Sequence, residues 1–246
     1  MALLAAGMVV VSACRARAGE APRPAPEPGV SATAAMATKA TQWVDDGKRS
    51  LQAAPLSAAA AVLGSCVQDP ALGFDCAYQA ARAELYLSYV LELSGSKGQA
   101  GACLGPATAW ASQAAALRPA SARAHSLLAE VYGRRALLGD AFAALRYGPL
   151  NGTETDKAVH LAPTDPEVLQ AQGLRYLYAP ALFGGNAAKA QACFEASLKS
   201  GDSDLTRYFL ALALRKRGDA AGARRELLLA RGMNPSNGLV NAALAR

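Results

Sequence analysis

The sequence predicts an all-α chain made of tandem helix pairs. Three observations predict it. Hydrophobic residues make up 52% of the chain and aromatics only 6%, so alanine and leucine, both strong helix formers, carry the difference. Apolar positions recur at helical spacing through most of the chain from residue 76 onward. Glycine, asparagine, aspartate and proline punctuate those stripes where one helix stops and the next starts. Runs of β-branched residues are nearly absent outside "MVVVSA" close to the start, so a sheet is not expected.

The expected organisation has four parts. Residues 1–13, "MALLAAGMVVVSA", form an uncharged apolar run shorter than the roughly 20 residues that span a bilayer, with the length of a signal-peptide core. The sequence Val11-Ser12-Ala13-Cys14 resembles the lipobox of bacterial lipoproteins. That resemblance implies cleavage before Cys14 and lipidation of its thiol. Val11 stands where leucine is more usual, and no basic residue precedes the apolar run. The competing reading is ordinary signal-peptidase cleavage after Ala18, where "ARA" obeys the small-x-small rule. Arg15 follows the cysteine in place of the aspartate of an inner-membrane retention signal, so the resemblance implies the periplasmic face of the outer membrane. Residues 14–34 read as a tether: four of the 13 prolines fall between Ala21 and Gly29, with too little apolar surface to fold.

Residues 35–75 are expected to hold N-terminal helices, one of them carrying Trp43. If Cys14 takes lipid, four cysteines remain, which allows three full pairings. Cys66 and Cys76 enclose a nine-residue loop, "VQDPALGFD", between two helical segments, and are the favoured pair. Cys193 lies in a helical pattern beside Phe194 and is expected as a buried free thiol.

Residues 76–246 read as helix pairs. The first has Ala83 and Tyr86, then Ala107, Ala114 and Pro119, with "SGSKGQAGACLG" between them expected as a flexible loop. The second has Ala129 and Tyr132, then Ala158 and Pro163, with about ten extra residues between. Within that stretch "PLNGT" reads as a turn. The third has Gly173 and Tyr176, then Ala190 and Phe194. The fourth is the most regular. Leu210, Ala211 and Leu214 form one stripe, Gly218 ends that helix, Asp219 caps the next, and Ala223, Leu227, Ala230 and Pro235 complete the unit. An amphipathic stretch around Asn237 to Ala245 is the expected C-terminal cap.

These positions resemble the tetratricopeptide repeat (TPR), a 34-residue helix–turn–helix unit. The resemblance implies a TPR-like helical solenoid of about four pairs with irregular insertions. Gly173 and Ala190 are 17 residues apart where Ala211 and Ala223 are 12 apart, so "APALF" is a five-residue insertion. Pro180 should end the helix, Gly184-Gly185 should turn the chain, and Asn186 should cap the next helix. Short P-x-x-F-G-G inserts are similar to those of bacterial exported TPR-like proteins, including the TatT lipoproteins of TRAP transport systems. In the TPR family, first-helix residues line a concave groove. Carried over by equivalent positions, that groove would receive Arg123, Glu130 and Arg134, then Gln170, Leu174 and Tyr178, then Tyr208, Leu212 and Arg215. A competing reading of nearly equal standing packs Tyr178 and Tyr208 against the neighbouring repeat.

The formal charge of +6 comes mostly from arginines spread along the chain, with one cluster at Arg215 to Arg217 and Arg224-Arg225. No nucleic-acid module accompanies them, so they read as solvated helix faces. No G-x-S-x-G elbow, H-E-x-x-H or phosphate-cradling loop occurs. His125 is expected at the surface, His160 in packing, and Glu84 and Glu130 on solvated faces. No catalytic, metal or cofactor site is expected. The favoured function is a membrane-tethered scaffold binding a protein or peptide partner in the cell envelope. The alternative is a small-molecule-binding accessory lipoprotein.

Overall fold

The computed structural model describes residues 32–245. Cys14, the expected signal peptide and most of the expected tether lie outside the described residues. Among the described residues there are eleven α-helices, one 3-10 turn and no strand. The first pair is α1 (Ala32–Ser50) and α2 (Ala53–Ser65), so helix takes in the last three residues of the expected tether. Four further pairs succeed it: α3 (Gly73–Leu93) with α4 (Lys97–Leu117), α5 (Ala122–Leu138) with α6 (Ala141–Leu161), α7 (Pro166–Tyr178) with α8 (Ala187–Ser200), and α9 (Asp204–Lys216) with α10 (Ala220–Met233). Helix α11 (Gly238–Leu244) packs on α9 and α10 as the cap. The first helices α1, α3, α5, α7 and α9 also touch in series, which makes the array a solenoid.

The fourth of the expected pairs, α9 with α10, illustrates how sequence makes the unit. Ser203 caps α9, its hydroxyl accepting from Thr206 N–H. At the other end Gly218 takes φ +85°, a conformation that side-chain-bearing residues avoid. Asp219 N–H then bonds the Leu214 carbonyl and Gly218 N–H the Arg215 carbonyl, both at 3.0 Å, closing a Schellman motif. Asp219 accepts from Gly222 N–H at 2.7 Å and starts α10. The buried stripes include Leu210, Ala211 and Leu214 on α9 and Ala223, Leu227 and Ala230 on α10.

The pair before it, α7 with α8, carries the insertion. Asp165 caps α7, with Pro166 at its first position, where a missing N–H costs nothing. After Tyr178 the chain leaves the helix at Ala179 and Pro180, makes the 3-10 turn Ala181–Phe183, and reverses at Gly184, φ +88°. Asn186 caps α8 through Lys189 N–H at 3.0 Å. Gly173 meets α8 closely: a Cβ there would lie 2.6 Å from the Phe194 ring. Phe194 and Phe209 are fully buried and stack with ring centroids 6.0 Å apart, joining α8 to α9. The basic cluster is partly engaged in packing as well. Arg215 donates to the Ala243 carbonyl of α11 at 2.7 Å, Lys216 to the Leu177 carbonyl of α7, and Arg217 to Gln191 of α8.

Several expectations are corrected. The stretch "SGSKGQAGACLG" is not a loop: only Ser94 to Ser96 turns, and the rest begins α4. Ala100, Leu104 and Ala107 bury a stripe there, and packing outweighs the low propensity of Gly98, Gly101 and Gly105. The extra residues between Tyr132 and Ala158 are likewise helix. Asp140 caps α6 through Ala143 N–H at 2.9 Å, and Tyr147 stacks on Tyr132 with centroids 5.8 Å apart. "PLNGT" lies inside α6, where Asn151 donates to the Ala129 carbonyl of α5 at 2.7 Å. Cys193 is free but only half-buried, and His160 is exposed. Cys66 and Cys76 are joined in a disulfide that ties the end of α2 to the first turn of α3.

Gly173→Val overpacks the Phe194 contact and is expected to lose about 1–3 kcal/mol of stability. Gly105→Ala, at an open position in α4, is expected to gain about 0.5–1 kcal/mol. Urea midpoints of the two variants against the parent decide this, and equal midpoints would contradict it. Reduction of the Cys66–Cys76 bridge is expected to cost about 2–3 kcal/mol. Non-reducing peptide mapping should recover that pair, with Cys103 and Cys193 alkylated.

Candidate functional site

A cavity of about 550 Å³ lies between α5, α6, α7 and the 3-10 turn. Both departures from regular repeat length build it. The N-terminal half of α6 contributes Leu145, Gly148 and Pro149, and the insertion contributes Pro180 and Phe183. Helix α5 supplies Glu130, Arg134 and Leu137, α7 supplies Leu174 and Tyr178, and Tyr89 reaches in from α3. Its walls are mostly aliphatic. The mouth is apolar and open, with Leu145 68% and Phe183 66% exposed, and Phe142 and Leu182 exposed beside them.

Tyr89 and Arg134 are buried polar groups of the lining and Glu130 is half-buried, while Asn151, Thr153, Asp156 and Arg175 line it as well. Arg134 is 5% exposed. It donates to Glu92 at 2.8 Å and to Ser88 at 3.0 Å, and its guanidinium lies 3.9 Å from the centroid of the Tyr89 ring. Its Nε has no hydrogen-bond partner. Tyr89 donates its hydroxyl to Glu130 at 3.0 Å. Burial pushes the Glu130 carboxyl above its ordinary range, against the opposing pull of Tyr89, Lys48 and Arg134. Burial and the neighbouring Glu130 charge push the Tyr89 phenol up well above its own. On the cavity's flank Arg175 ties α7 to α6 through Asp156 at 2.6 Å. Gly148 turns bare backbone to open space: a Cβ added there meets nothing within 4 Å.

A second, smaller pocket of about 240 Å³ adjoins along the first helices, and Glu130 lines both. It is more polar. Lys48, Arg82 and Arg123 face Glu167 and Asp202 across it, and Ser126 Oγ, buried there, lacks a partner. Arg123 pairs with Asp165 at 3.2 Å and Glu167 at 3.5 Å.

The nine residues expected in the groove therefore separate. Glu130, Arg134, Leu174 and Tyr178 line the large cavity. Arg123 and Gln170 join Glu130 in the smaller pocket, where Gln170 also accepts from Thr206 at 2.8 Å. Tyr208, Leu212 and Arg215 line neither. Tyr208 packs edge-on to Phe209 at 5.2 Å between centroids, and Leu212 packs on the core. Glu130 is half-buried, not on a solvated face, because α3 covers it. Glu84 is also half-buried, and desolvation raises its carboxyl. His125 is buried, with Nδ1 2.5 Å from Glu154 and Nε2 2.9 Å from the Pro119 carbonyl. Sequence reasoning missed Tyr89, Leu145, Gly148 and Phe183. The signal available for the last three was a Gly-Pro pair and an apolar insertion that regular repeats have no use for. Among the described residues no group of three or more His, Cys, Asp and Glu is placed to hold a metal, and no helix is long and apolar enough to cross a membrane.

No protein-family model matches the sequence, and no curated protein matches it. Solved structures do match. The crystal structure of TTC0263, a thermophilic TPR protein of Thermus thermophilus, is 19% identical with a TM-score of 0.66, covering 87% of this chain and 97% of that one. MamA MSR-1 C2 is 14% identical over 80% of this chain and 97% of that one, with a TM-score of 0.35, too low to compare folds. The fold is an all-α, TPR-like solenoid.

Proposed function

We propose that the chain is a membrane-tethered scaffold of the cell envelope that binds a protein or peptide partner along its first helices. The observation that carries the binding reading is the run of charged and aromatic side chains from Tyr78 and Arg82 through Arg123 to Gln170 in the smaller pocket. Arginines there suit a partner's carboxylates, and the tyrosines bury apolar side chains beside them. The lipobox-like Cys14 and the proline-rich tether support the membrane address. A second reading, a small-molecule-binding accessory resembling TatT, is favoured by the large apolar cavity. Pockets of this size with few convergent polar groups commonly take small ligands.

The tether and the groove are tested separately. Expressed with its own leader in a Gram-negative host, Cys14→Ala is expected to move the protein from the membrane to the soluble fraction. Pelleting of the variant with membranes would overturn the anchor. Arg123→Glu reverses an exposed charge whose ion pairs are worth at most about 1 kcal/mol. It is expected to abolish capture of a partner crosslinked to the parent chain, with the melting temperature little changed. Undiminished capture would move the partner to another face.

A further inference from the structure

The first half of α6 stands out from the body of the solenoid. Of residues 141–150, "AFAALRYGPL", only Tyr147 is buried, although Arg146 is the one charge in the run. The most exposed large hydrophobic side chains among the described residues are Leu182 at 88%, Phe142 at 81%, Leu145 at 68% and Phe183 at 66%. They lie together. Leu145 and Phe183 line the same cavity, Phe142 is three residues before Leu145 on the same side of α6, and Leu182 directly precedes Phe183.

We propose that this face joins two copies of the chain in a two-fold dimer, with the first halves of α6 antiparallel across the axis. Area, charge and shape select a second copy. Burying those four side chains and Leu137 removes roughly 600–700 Å² per copy, and a standard interface takes about 800 Å² from each partner. Asp140 and Arg146, both exposed, stand at either end of the Phe142–Leu145 stretch. A two-fold axis at the level of Ala143 sets Asp140 of each copy against Arg146 of the other, with the apolar residues between them facing each other. An isologous contact needs this self-complementarity, because one patch supplies both members of every pair.

The shape agrees. Leu182 and Phe183 project beside an open cavity, so the same face carries a projection and a recess. Ala141, Ala144 and Gly148 leave the two helices room to approach, and a Cβ at Gly148 would meet nothing within 4 Å in its own chain. Asp140 and Asp156, whose side chain is 70% exposed at the cavity, oppose an anionic lipid surface on this face. Arg123 and Gln170 line the smaller pocket and not this cavity, so the dimer stands apart from the partner reading.

The test is sedimentation velocity of the full chain carrying Cys14→Ala, which removes the lipidation site. A dimer is expected at about 10 μM. Phe142→Ser and Leu182→Ser alter side chains that the fold leaves exposed. Each is expected to weaken the dimer about tenfold or more with the helical signal unchanged. Arg146→Asp sets like charges together and is expected to weaken it about tenfold. Adding Asp140→Asn, which keeps a cap on α6, should recover most of that loss. A monomer at up to about 200 μM would overturn the proposal. Dimers untouched by Phe142→Ser and Leu182→Ser would place the contact elsewhere and overturn it too. No recovery with Asp140→Asn would overturn the antiparallel pairing of α6. A monomer that binds vesicles of phosphatidylethanolamine and phosphatidylglycerol, and is released by Phe142→Ser, would assign the face to the membrane instead.

Discussion

The Phe194 ring holds the C-terminal half of the solenoid together. It is fully buried, it occupies the space that Gly173 leaves on α7, and it stacks on Phe209 of the next pair. One side chain thus sets the approach of α7 to α8 and the stacking of that pair on α9 and α10. The geometry needs a glycine on one side and a large ring on the other, because close-packed interiors tolerate neither a void nor an extra methyl cheaply. Once α7 is fixed this way, its C-terminal turn carries Leu174 and Tyr178 to the cavity wall.

A regular array of helix pairs offers a groove but little enclosed volume. Enclosure here comes from irregularity. Helix α6 has 21 residues where α10 has 14, and five residues are added after α7. The two additions face each other across the end of α5. Neither buries its own apolar residues fully: Phe142, Leu145, Leu182 and Phe183 stay exposed. Large apolar side chains exposed near a cavity commonly mark an interaction site.

The last two pairs were the most legible in the sequence. Their stops and starts are local chemistry: Gly184 and Gly218 adopt positive φ, and Asn186 and Asp219 cap the next helix through their own side chains. The insertion was legible too, because counting from Gly173 to Ala190 needs no knowledge of packing. The first halves of α4 and α6 were not. Their glycines and prolines argue against helix when read alone, and only burial of Ala100 and Leu104, or of Tyr147, against the preceding helix overrides that preference. The candidate site was half legible. Equivalent positions on α5 and α7 found Glu130, Arg134, Leu174 and Tyr178. They also nominated Tyr208, Leu212 and Arg215, whose roles are set by contacts with Phe209, the core and α11. The burial of His125 depends on Glu154, 29 positions away, which no local pattern reports.

The insertion after α7 builds a cavity wall and contributes little to holding the solenoid. Deleting residues 179–183 restores the regular spacing and tests this directly. Binding of an apolar reporter dye would be measured beside the thermal unfolding curve. The expected result is a cooperatively folded chain with the helical signal of the parent and no saturable dye binding. Dye binding at parental strength, or a chain that no longer unfolds cooperatively, would contradict it.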